Sequence, residues 1–311
     1  MPWAFVFLFW SIFEAYGKTL GRCPKPCKLK ASLSGQLFDK GGSFVDTITS
    51  RRNPLVRAAA ALLGSPRERR ERREFLCEGA RLCRDAAESG VSIKACFFTP
   101  RAGERYGEYL KPILHASEAA YTIEDPVAGL LSDTKSPQGV FCLCAWPEGG
   151  QGAHDGPCLV LENIQDPGNL GTILRTAEAL GRFRVVLLGD CCDPLGPKAL
   201  RASMGAVFRL GIETEGDPGR LMERLKDEGY AVHGAVPSDR ALEVTGIDFT
   251  RGRHAVVIGN EGSGLSRETA GLCGDLITIP MGGRAESLNA AAAATVLLWE
   301  LSGRGEGRWR G

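Results

Sequence analysis

Short apolar runs alternate with amphipathic segments along most of this 311-residue chain. Apolar runs with the length and the flanking residues expected of buried strands occur at residues 140–145, 159–161 and 185–188. Between such runs, residues 78–89 and 218–228 have the spacing of amphipathic helices. The alternation predicts an α/β protein whose C-terminal part contains a parallel sheet.

Changes in composition divide the chain into five segments. Residues 1–48 have no lasting periodicity, and we interpret them as a disordered extension or as sequence upstream of the true start. Residues 49–146 predict a small α/β domain that opens with a basic helix, and the glycine-rich residues 147–157 predict a linker. Residues 158–303 predict a second domain, and residues 304–311 a flexible basic tail.

The extension contains an apolar stretch, residues 2–13, that is shorter than the ~20 residues of a membrane span. It has neither a basic region before it nor a small-residue cleavage site directly after it, so we predict no secretory signal and no membrane partner. With 43% hydrophobic and 24% charged residues, the composition is that of a globular protein. We expect a cytoplasmic location.

Eleven cysteines are present, which is an odd number, and most lie in apolar runs. Reduced, buried thiols are therefore expected rather than disulfides. Cys23 and Cys27 form a lone pair without a second pair at metal-site spacing, so we assign no metal.

The net charge of only +1 gives no indication of a nucleic-acid partner, but the distribution of charge is uneven. Between Arg51 and Glu74 there are eight arginines and three glutamates. Such a run usually forms a solvated helix face, and contact with phosphate is the alternative. Lys198 and Arg201 have the same two interpretations, with ordinary surface charge the simpler one.

Three glycine-bearing turns in the second domain each follow an apolar run and lead towards a helix. They contain Asn169-Leu-Gly-Thr-Ile-Leu-Arg175, then Gly259-Asn-Glu-Gly262, then residues 279–289 before an alanine-rich helix. Turns at the carboxyl ends of parallel strands are where α/β folds build their sites. Ordinary packing of a buried helix is the alternative for the third segment taken alone.

Together these segments resemble the SpoU (TrmH) family of RNA ribose 2′-O-methyltransferases. The third turn matches through Ile279-Pro-Met281 and Ser287-Leu-Asn289. The resemblance implies a SPOUT fold, a parallel sheet whose C-terminal segment forms a trefoil knot that holds S-adenosylmethionine. Residues 75–146 resemble the small RNA-binding domain, similar to ribosomal protein L30e, that precedes the catalytic domain in many members. A homodimer acting on structured RNA is also implied, with rRNA favoured over tRNA.

The resemblance identifies the catalytic candidates as Asn169, Arg175, Glu261, Ser287 and Asn289. Because Arg175 follows Asn169 by six residues, nearly two helical turns, we expect both side chains near one helix face. An arginine is almost never deprotonated, so its expected role is to bind phosphate and stabilise the developing alkoxide. A structural pair of Arg175 with Glu178 or a neighbouring carboxylate is the alternative.

The resemblance implies that Glu261 helps to hold the active-site loops and Arg175 in place, within one subunit or across a dimer interface, and a capping or loop-stabilising carboxylate is the other interpretation. Gly259, Ile279 and Leu288 match positions whose backbone contacts the cofactor in the family, and Met281 lies beside them. The chain departs from many members in having only alanine at residues 290–294, which puts the close packing around the cofactor in question.

Two other functions fit parts of the sequence. A non-catalytic RNA-binding protein with the same fold is one, although the intact candidate residues disfavour it. A dinucleotide enzyme is the other, but Gly259-Asn-Glu-Gly-Ser-Gly264 is not G-x-G-x-x-G and lies late in its domain.

Overall fold

The computed structural model describes residues 46–147, 156–181 and 183–302. Within these ranges the chain forms two sheets, one on each side of the glycine-rich segment predicted as a linker. Residues 1–45, most of that segment and the tail at 304–311 lie outside the described residues.

The first sheet is mixed and is formed by five strands of the described chain. These are β1 (Asp46–Ile48), β2 (Glu74–Glu78), β3 (Ile93–Phe98), β4 (Ala120–Ile123) and β5 (Val140–Ala145), in the order β1-β4-β3-β5-β2. Its helices are α1 (Pro54–Gly64), α2 (Pro66–Arg72), α3 (Ala80–Glu88), α4 (Pro100–Arg105), α5 (Gly107–Ala116) and α6 (Asp125–Ala128). The pairs β1–β4 and β3–β4 are parallel, whereas β5 runs antiparallel to β2 and β3.

Local sequence explains where several of these helices begin. Asn53, Ser65 and Thr99 each accept backbone hydrogen bonds at the start of a helix and are each followed by proline. A short polar cap satisfies N–H groups of the first turn, and proline loses nothing at a position whose N–H has no helical partner.

Two predictions for this region are wrong in detail. Residues 46–48, assigned to the extension, form β1. Ile48 is buried in a hydrophobic cluster formed by residues of the first sheet and its helices, and the strand pairs with β4. The sequence of residues 126–133 also predicts a helix, but the helix found there ends at Ala128. Beyond it, Ser132 and Thr134 donate hydroxyl hydrogen bonds to the buried Glu78, which stabilises an irregular loop instead.

The second sheet is parallel in every recorded pairing, which confirms the predicted parallel sheet. Its strands are β6 (Cys158–Glu162), β7 (Arg184–Leu188), β8 (Gly211–Glu215), β9 (Tyr230–Ala235), β10 (Leu242–Glu243), β11 (Arg253–Ile258) and β12 (Asp275–Thr278). Their order is β10-β12-β9-β11-β6-β7-β8. The helices are α7 (Pro167–Leu180), α8 (Pro197–Ser203), α9 (Pro218–Asp227), α10 (Arg267–Leu272) and α11 (Ala290–Leu301), with 3-10 turns at Ala206–Phe208 and Val244–Gly246.

The central strand β6 is covered on both faces. Leu159 and Leu161 belong to the core that includes residues of α7, whereas Cys158 and Val160 belong to the core that includes residues of α9. Every residue of β6 is buried. A strand covered on both faces reads as a continuous apolar run, which is why it was recognisable in the sequence.

The two sheets share one hydrophobic core. Phe75 of β2 stacks on Phe208 at 5.9 Å between ring centroids, and the largest buried cluster contains residues from both sheets. Within the second domain, α7 and α8 meet at Gly171, where an added Cβ would lie 2.5 Å from Ala202 Cβ and 2.6 Å from the carbonyl oxygen of Ala199. The glycine of the first motif therefore permits close helix packing.

The described cysteines are all free thiols, as predicted, and most are buried; Cys191, Cys192 and Cys273 are half-buried. Among the described residues, no group of three or more metal-ligating side chains has the geometry to hold a metal ion. No helix in this part of the chain combines the length and the hydropathy needed to cross a membrane.

Candidate active site

The first motif lies in the first turns of α7, directly after the loop that follows β6, and the loops after β11 and β12 contain the other two motifs. Strand β6 pairs with β11, β11 with β9, and β9 with β12, all in parallel. The carboxyl ends of these strands consequently lie at one edge of the sheet. Two helices also begin here, α7, which contains the first motif, and α11, which follows the third.

Glu261 is the point at which the first two motifs meet. Its carboxylate accepts hydrogen bonds from the backbone N–H groups of Gln165 (3.2 Å) and Asp166 (3.1 Å) and from Asn169 Nδ2 (3.1 Å). Burial alone would raise the pKa of Glu261, but hydrogen bonds from the Asn169 side chain and from nearby backbone N–H groups outweigh it and lower the pKa. Glu261 is therefore ionised at neutral pH.

Asn169 extends this contact to the third motif. Because a carboxylate only accepts, the nitrogen of the Asn169 amide must face Glu261, which leaves its oxygen free to accept from elsewhere. That oxygen accepts from Asn289 Nδ2 at 3.1 Å. Glu261, Asn169 and Asn289 thus form a continuous side-chain network that joins all three motifs.

Helix capping fixes the position of both asparagines. Asp166 caps α7 by accepting from the N–H groups of Gly168 (2.6 Å) and Asn169 (2.9 Å). Asn289 caps α11 by accepting from Ala291 (2.9 Å) and Ala292 (3.4 Å). Both helix N-termini therefore face the network, where their partial positive charge favours anionic groups.

The second motif forms a tight turn with its own internal contacts. Asn260 and Gly264 exchange backbone hydrogen bonds at 3.0 and 2.9 Å, and Asn260 Nδ2 donates to the carbonyl oxygen of Asn163 at 2.8 Å. A Cβ on Gly259 would lie 2.2 Å from the carbonyl carbon of Gly264. Gly259 is thus required by the turn itself, which also places its backbone at the site.

Sequence reasoning missed a buried carboxylate beneath this turn. Glu162 is 4% exposed and accepts hydrogen bonds from the backbone N–H of Ser266 (2.9 Å), from the Ser266 hydroxyl (2.7 Å) and from Thr269 Oγ1. These bonds attach the end of the second motif to β6. A charged residue inside an apolar strand run was the available signal, because a buried charge must be paired or hydrogen-bonded.

The third motif is more open. Met281, Ser287 and Leu288 are exposed, and Ile279 is half-buried. No hydrogen bond joins residues 281–288 to one another or to any other part of the described chain. The loop therefore presents free backbone donors and acceptors beside the apolar side chains of Met281 and Leu288.

These features fit a nucleoside-type cofactor that is held mainly by backbone. Gly282 and Gly283 leave the loop uncrowded, since nothing lies within 4 Å of a Cβ added at either position. In the alanine-rich helix, Ala290, Ala291 and Ala294 are buried in the hydrophobic core.

An open cleft of about 540 Å³ lies at the network. It is lined by Gln165, Asp166, Asn169, Asn260, Glu261 and Asn289. Three of these residues were predicted, whereas Gln165, Asp166 and Asn260 were missed although each adjoins a motif residue or lies one turn from it. Ser287 and the cofactor candidates Gly259, Ile279, Met281 and Leu288 do not line this cleft.

The cleft carries excess negative charge within the described chain. Hydrogen bonds from the backbone of Asn169 and from Lys198 lower the pKa of Asp166, so Asp166 and Glu261 are both anionic at neutral pH. Lys198 Nζ lies 3.2 Å from Asp166 Oδ2 in an exposed pair. One cation against two carboxylates is a poor environment for an RNA phosphate.

Arg175 does not share a face with Asn169, so that expectation is wrong. Six residues are 1.67 helical turns, which separates the two side chains by about 120°. Arg175 instead lines a groove of about 550 Å³ between α7 and α11, with Thr172, Thr176, Ala179, Leu180, Thr295, Val296 and Trp299. The alternative pair with Glu178 is not formed in the described part of the chain, where Glu178 binds Arg209 at 2.8 Å.

This groove is largely apolar and open to solvent. Trp299 is 44% exposed and Val296 36%, although both lie on a helix whose opposite side is buried. Arg175 is exposed and, among the described residues, forms no ion pair.

Comparison with known proteins identifies the family. The profile of the SpoU rRNA methylase family matches residues 156–299, and that of the MRM3-like substrate-binding domain matches residues 53–142. An uncharacterized tRNA/rRNA methyltransferase of Synechocystis is 34% identical over 262 residues, covering 83% of this chain and 94% of that protein. The chain belongs to the SpoU methylase family.

Two further relatives carry more specific names. The 23S rRNA (guanosine(2553)-2'-O)-methyltransferase RlmP of Bacillus subtilis is 29% identical, covering 78% of this chain and 93% of its own length. The crystal structure of an AdoMet-bound rRNA methyltransferase from Sinorhizobium meliloti superposes with a TM-score of 0.74 at 28% identity, covering 84% of this chain and 98% of that one. The predicted family is confirmed, and so is the predicted SPOUT architecture of a parallel sheet preceded by a small α/β domain.

Proposed function

We propose that this protein transfers a methyl group from S-adenosylmethionine to a ribose 2′-hydroxyl of structured RNA, with rRNA the favoured target. The observation that carries the proposal is the network of Glu261, Asn169 and Asn289, which joins three motifs at one cleft. The relatives named above as rRNA methyltransferases support rRNA over tRNA. We place the reaction in the cytoplasm.

The cofactor would supply a methyl group activated by a sulfonium. Gly259 of the second motif and Ile279, Met281 and Leu288 of the third are the residues that we assign to holding it, mainly through backbone groups. Threading of the C-terminal segment as a trefoil knot belongs to the same proposal. The work left to the protein is to align two reactants and to stabilise charge on the ribose oxygen, and alignment alone is worth up to ~7–11 kcal/mol.

The protein groups around the cleft have distinct proposed roles. Glu261 fixes the first two turns, and Asn169 and Asn289 present amide groups at helix N-termini, where negative charge on the attacking oxygen is stabilised. Ser287, at the rim in the exposed loop, is assigned to RNA contact beside Asn289.

Arg175 is proposed to act across a homodimer. An anionic cleft needs an added cation before it can accept an RNA backbone, and Arg175 faces a different groove of its own subunit. The exposed Trp299 and Val296 beside it give an apolar surface that a second copy would cover. In that arrangement, Arg175 of one subunit would serve the cleft of the other by binding phosphate and stabilising the alkoxide.

The proposed domain division places RNA binding in residues 49–146 and catalysis in residues 158–303. Support for the first part comes from the match of residues 53–142 to a substrate-binding domain. The non-catalytic alternative is disfavoured because the network that joins the motifs is intact.

The test uses the purified full-length protein, tritiated S-adenosylmethionine and rRNA from cells of the source organism in which the gene is deleted. We expect label in the rRNA, and one nucleotide should gain resistance to alkaline cleavage on its 3′ side. Binding of the cofactor without label transfer to rRNA or tRNA would favour the non-catalytic alternative.

A further inference from the structure

Arg69 forms a buried ion pair with Asp193, which lies in the loop between β7 and α8. Arg69 Nε is 2.6 Å from Asp193 Oδ2, and the two side chains are 4% and 6% exposed. The same guanidinium donates to the carbonyl oxygens of Leu62 and Leu63 near the end of α1. One arginine of the run predicted as a solvated face is therefore buried and joins the first domain to the second.

The loop that contains Asp193 is in turn bonded to the loop at the cleft. The N–H of Cys192 donates to the carbonyl oxygen of Ile164 at 2.8 Å, and the N–H of Asp190 donates to Asn163 Oδ1 at 2.8 Å. Gln165 Nε2 donates to the carbonyl oxygen of Asp190. The loop that contains Asp193 thus holds residues 163–165 in place.

Gln165 is also one of the residues that hold Glu261. Its backbone N–H donates to Glu261 Oε2, next to the equivalent bond from Asp166. A continuous series of bonds therefore runs from Arg69 through Asp193 and its loop to Gln165 and the carboxylate of Glu261.

We propose that Arg69 is a positioning residue for the catalytic cleft. Through Asp193 it fixes the loop between β7 and α8, and that loop fixes the N–H groups that orient Glu261. The kinetic consequence rests on the proposed methyl transfer, whereas the structural coupling does not. The substrate-binding domain accordingly helps to order the cleft in addition to binding RNA.

Charge, rather than packing alone, makes this contact specific. Asp193 uses Oδ2 for Arg69 and Oδ1 for the N–H of Leu195 at 2.9 Å, so one carboxylate shapes its own loop and anchors it. Both charges are out of water, and a buried charge that loses its partner is strongly disfavoured. The loop is therefore restricted to positions in which the pair is intact.

A second ion pair between the domains provides a matched control. Arg201 of α8 binds Asp133 of the first domain through two bonds, and both side chains are more than one-third exposed. Neither residue bonds to the loop at residues 189–196 within the described chain. Removing this pair weakens the contact between the two domains. It does not affect the cleft through Asp193.

The test compares Asp193→Asn with Asp133→Asn in the full-length protein. Asparagine at 193 keeps the shape and the acceptor for Leu195 but removes the charge. With gene-deletion rRNA as substrate, we expect kcat to fall about tenfold for Asp193→Asn while KM for S-adenosylmethionine changes less than about twofold. Asp133→Asn should stay within about twofold of the original kcat. Arg69→Lys should retain more activity than Arg69→Gln, because it keeps the charge.

A readout without catalysis separates this proposal from the methyltransferase assignment. Hydrogen exchange of the Asp190 and Cys192 amides should accelerate about tenfold in Asp193→Asn and stay unchanged in Asp133→Asn. If the original protein labels no RNA, the assigned activity fails, and exchange still decides the coupling. Equal effects of the two variants on both readouts, or unchanged exchange in Asp193→Asn, would overturn the role of Arg69.

Discussion

The side-chain amide of Asn169 donates to the carboxylate of Glu261 at 3.1 Å, across 92 positions of the chain. The contact defines the cleft, because the same carboxylate also accepts the N–H groups of Gln165 and Asp166. These three donors come from the loop after β6 and the first turn of α7, so the second motif is oriented by the first.

The substitution Glu261→Gln is expected to lower kcat for methylation by about 100-fold, since displacements on the order of 1 Å at a reacting centre have that cost. A glutamine brings an NH2 group towards N–H donors that need acceptors, so part of the network must open. Steady-state methylation of gene-deletion rRNA measures the effect. A Glu261→Gln variant with near-normal kcat would show that the network does not position the reactants.

For Arg175→Ala, we expect a loss of methylation on the order of 10²–10³-fold with cofactor affinity nearly unchanged, as for removal of a group that stabilises transition-state charge. Methylation of gene-deletion rRNA measures the loss of activity, and calorimetric titration with S-adenosylmethionine measures the cofactor affinity. Near-normal turnover would refute the role of Arg175.

Mixing two inactive variants tests whether Arg175 acts across the dimer. If it serves the other subunit's cleft, Arg175→Ala and Glu261→Gln combined should recover about a quarter of the original activity, because half of the dimers are mixed and each has one intact site. If Arg175 serves its own cleft, mixing should recover nothing.

Gly259→Ala is expected to destabilise the protein by about 1–3 kcal/mol and to reduce methylation, because its Cβ would collide with rigid backbone. That Cβ would lie 2.2 Å from the carbonyl carbon of Gly264. Gly262→Ala is the control, since the nearest atom to its Cβ would be Asn260 Oδ1 at 3.6 Å. Urea unfolding of both variants gives the comparison, and equal stability would contradict a packing role for Gly259.

The buried parallel strands and the motifs were accessible from sequence, because such strands are continuous apolar runs and the turns contain unusual residue combinations, whereas the order of the strands in the sheet was not predicted. The Glu261–Asn169–Asn289 network was predicted as a set of site residues, but its bonding was not. Arg175 was misplaced because six residues were treated as two turns. The buried Arg69 was hidden in a run of arginines, where only the tertiary partner Asp193 distinguishes it.

Gly171→Ala tests the close approach of α7 and α8. A glycine-to-alanine change inside a helix usually gains up to about 1 kcal/mol from propensity. Here the Cβ would meet Ala202 at 2.5 Å, so we expect a net loss of about 1–3 kcal/mol by overpacking. Gly271→Ala in α10 is the matched control because its Cβ would meet nothing within 4 Å. Thermal unfolding should separate the two variants, and a stabilised Gly171→Ala would contradict the packing described.

The last prediction concerns acid sensitivity at His233. His254 Nε2 lies 2.7 Å from the carbonyl oxygen of Arg251 and must donate to it, so with both imidazoles neutral His254 Nδ1 accepts from His233 Nε2 at 3.0 Å. His233 Nδ1 is then unprotonated, 3.5 Å from Asp275 Oδ2. Burial and the neighbouring His254 lower the pKa of His233, and Asp275 only partly opposes this.

A histidine with a lowered folded-state pKa binds its proton more readily in the unfolded chain, where its pKa is about 6.5. Its contribution to stability is therefore complete above that pH and is lost as the pH falls towards the folded-state pKa. We expect the urea midpoint to decrease between about pH 7.5 and 5.5, and to decrease less in His233→Gln, whose amide can still donate to His254. An identical pH dependence in the two proteins would exclude His233 as a source of acid sensitivity.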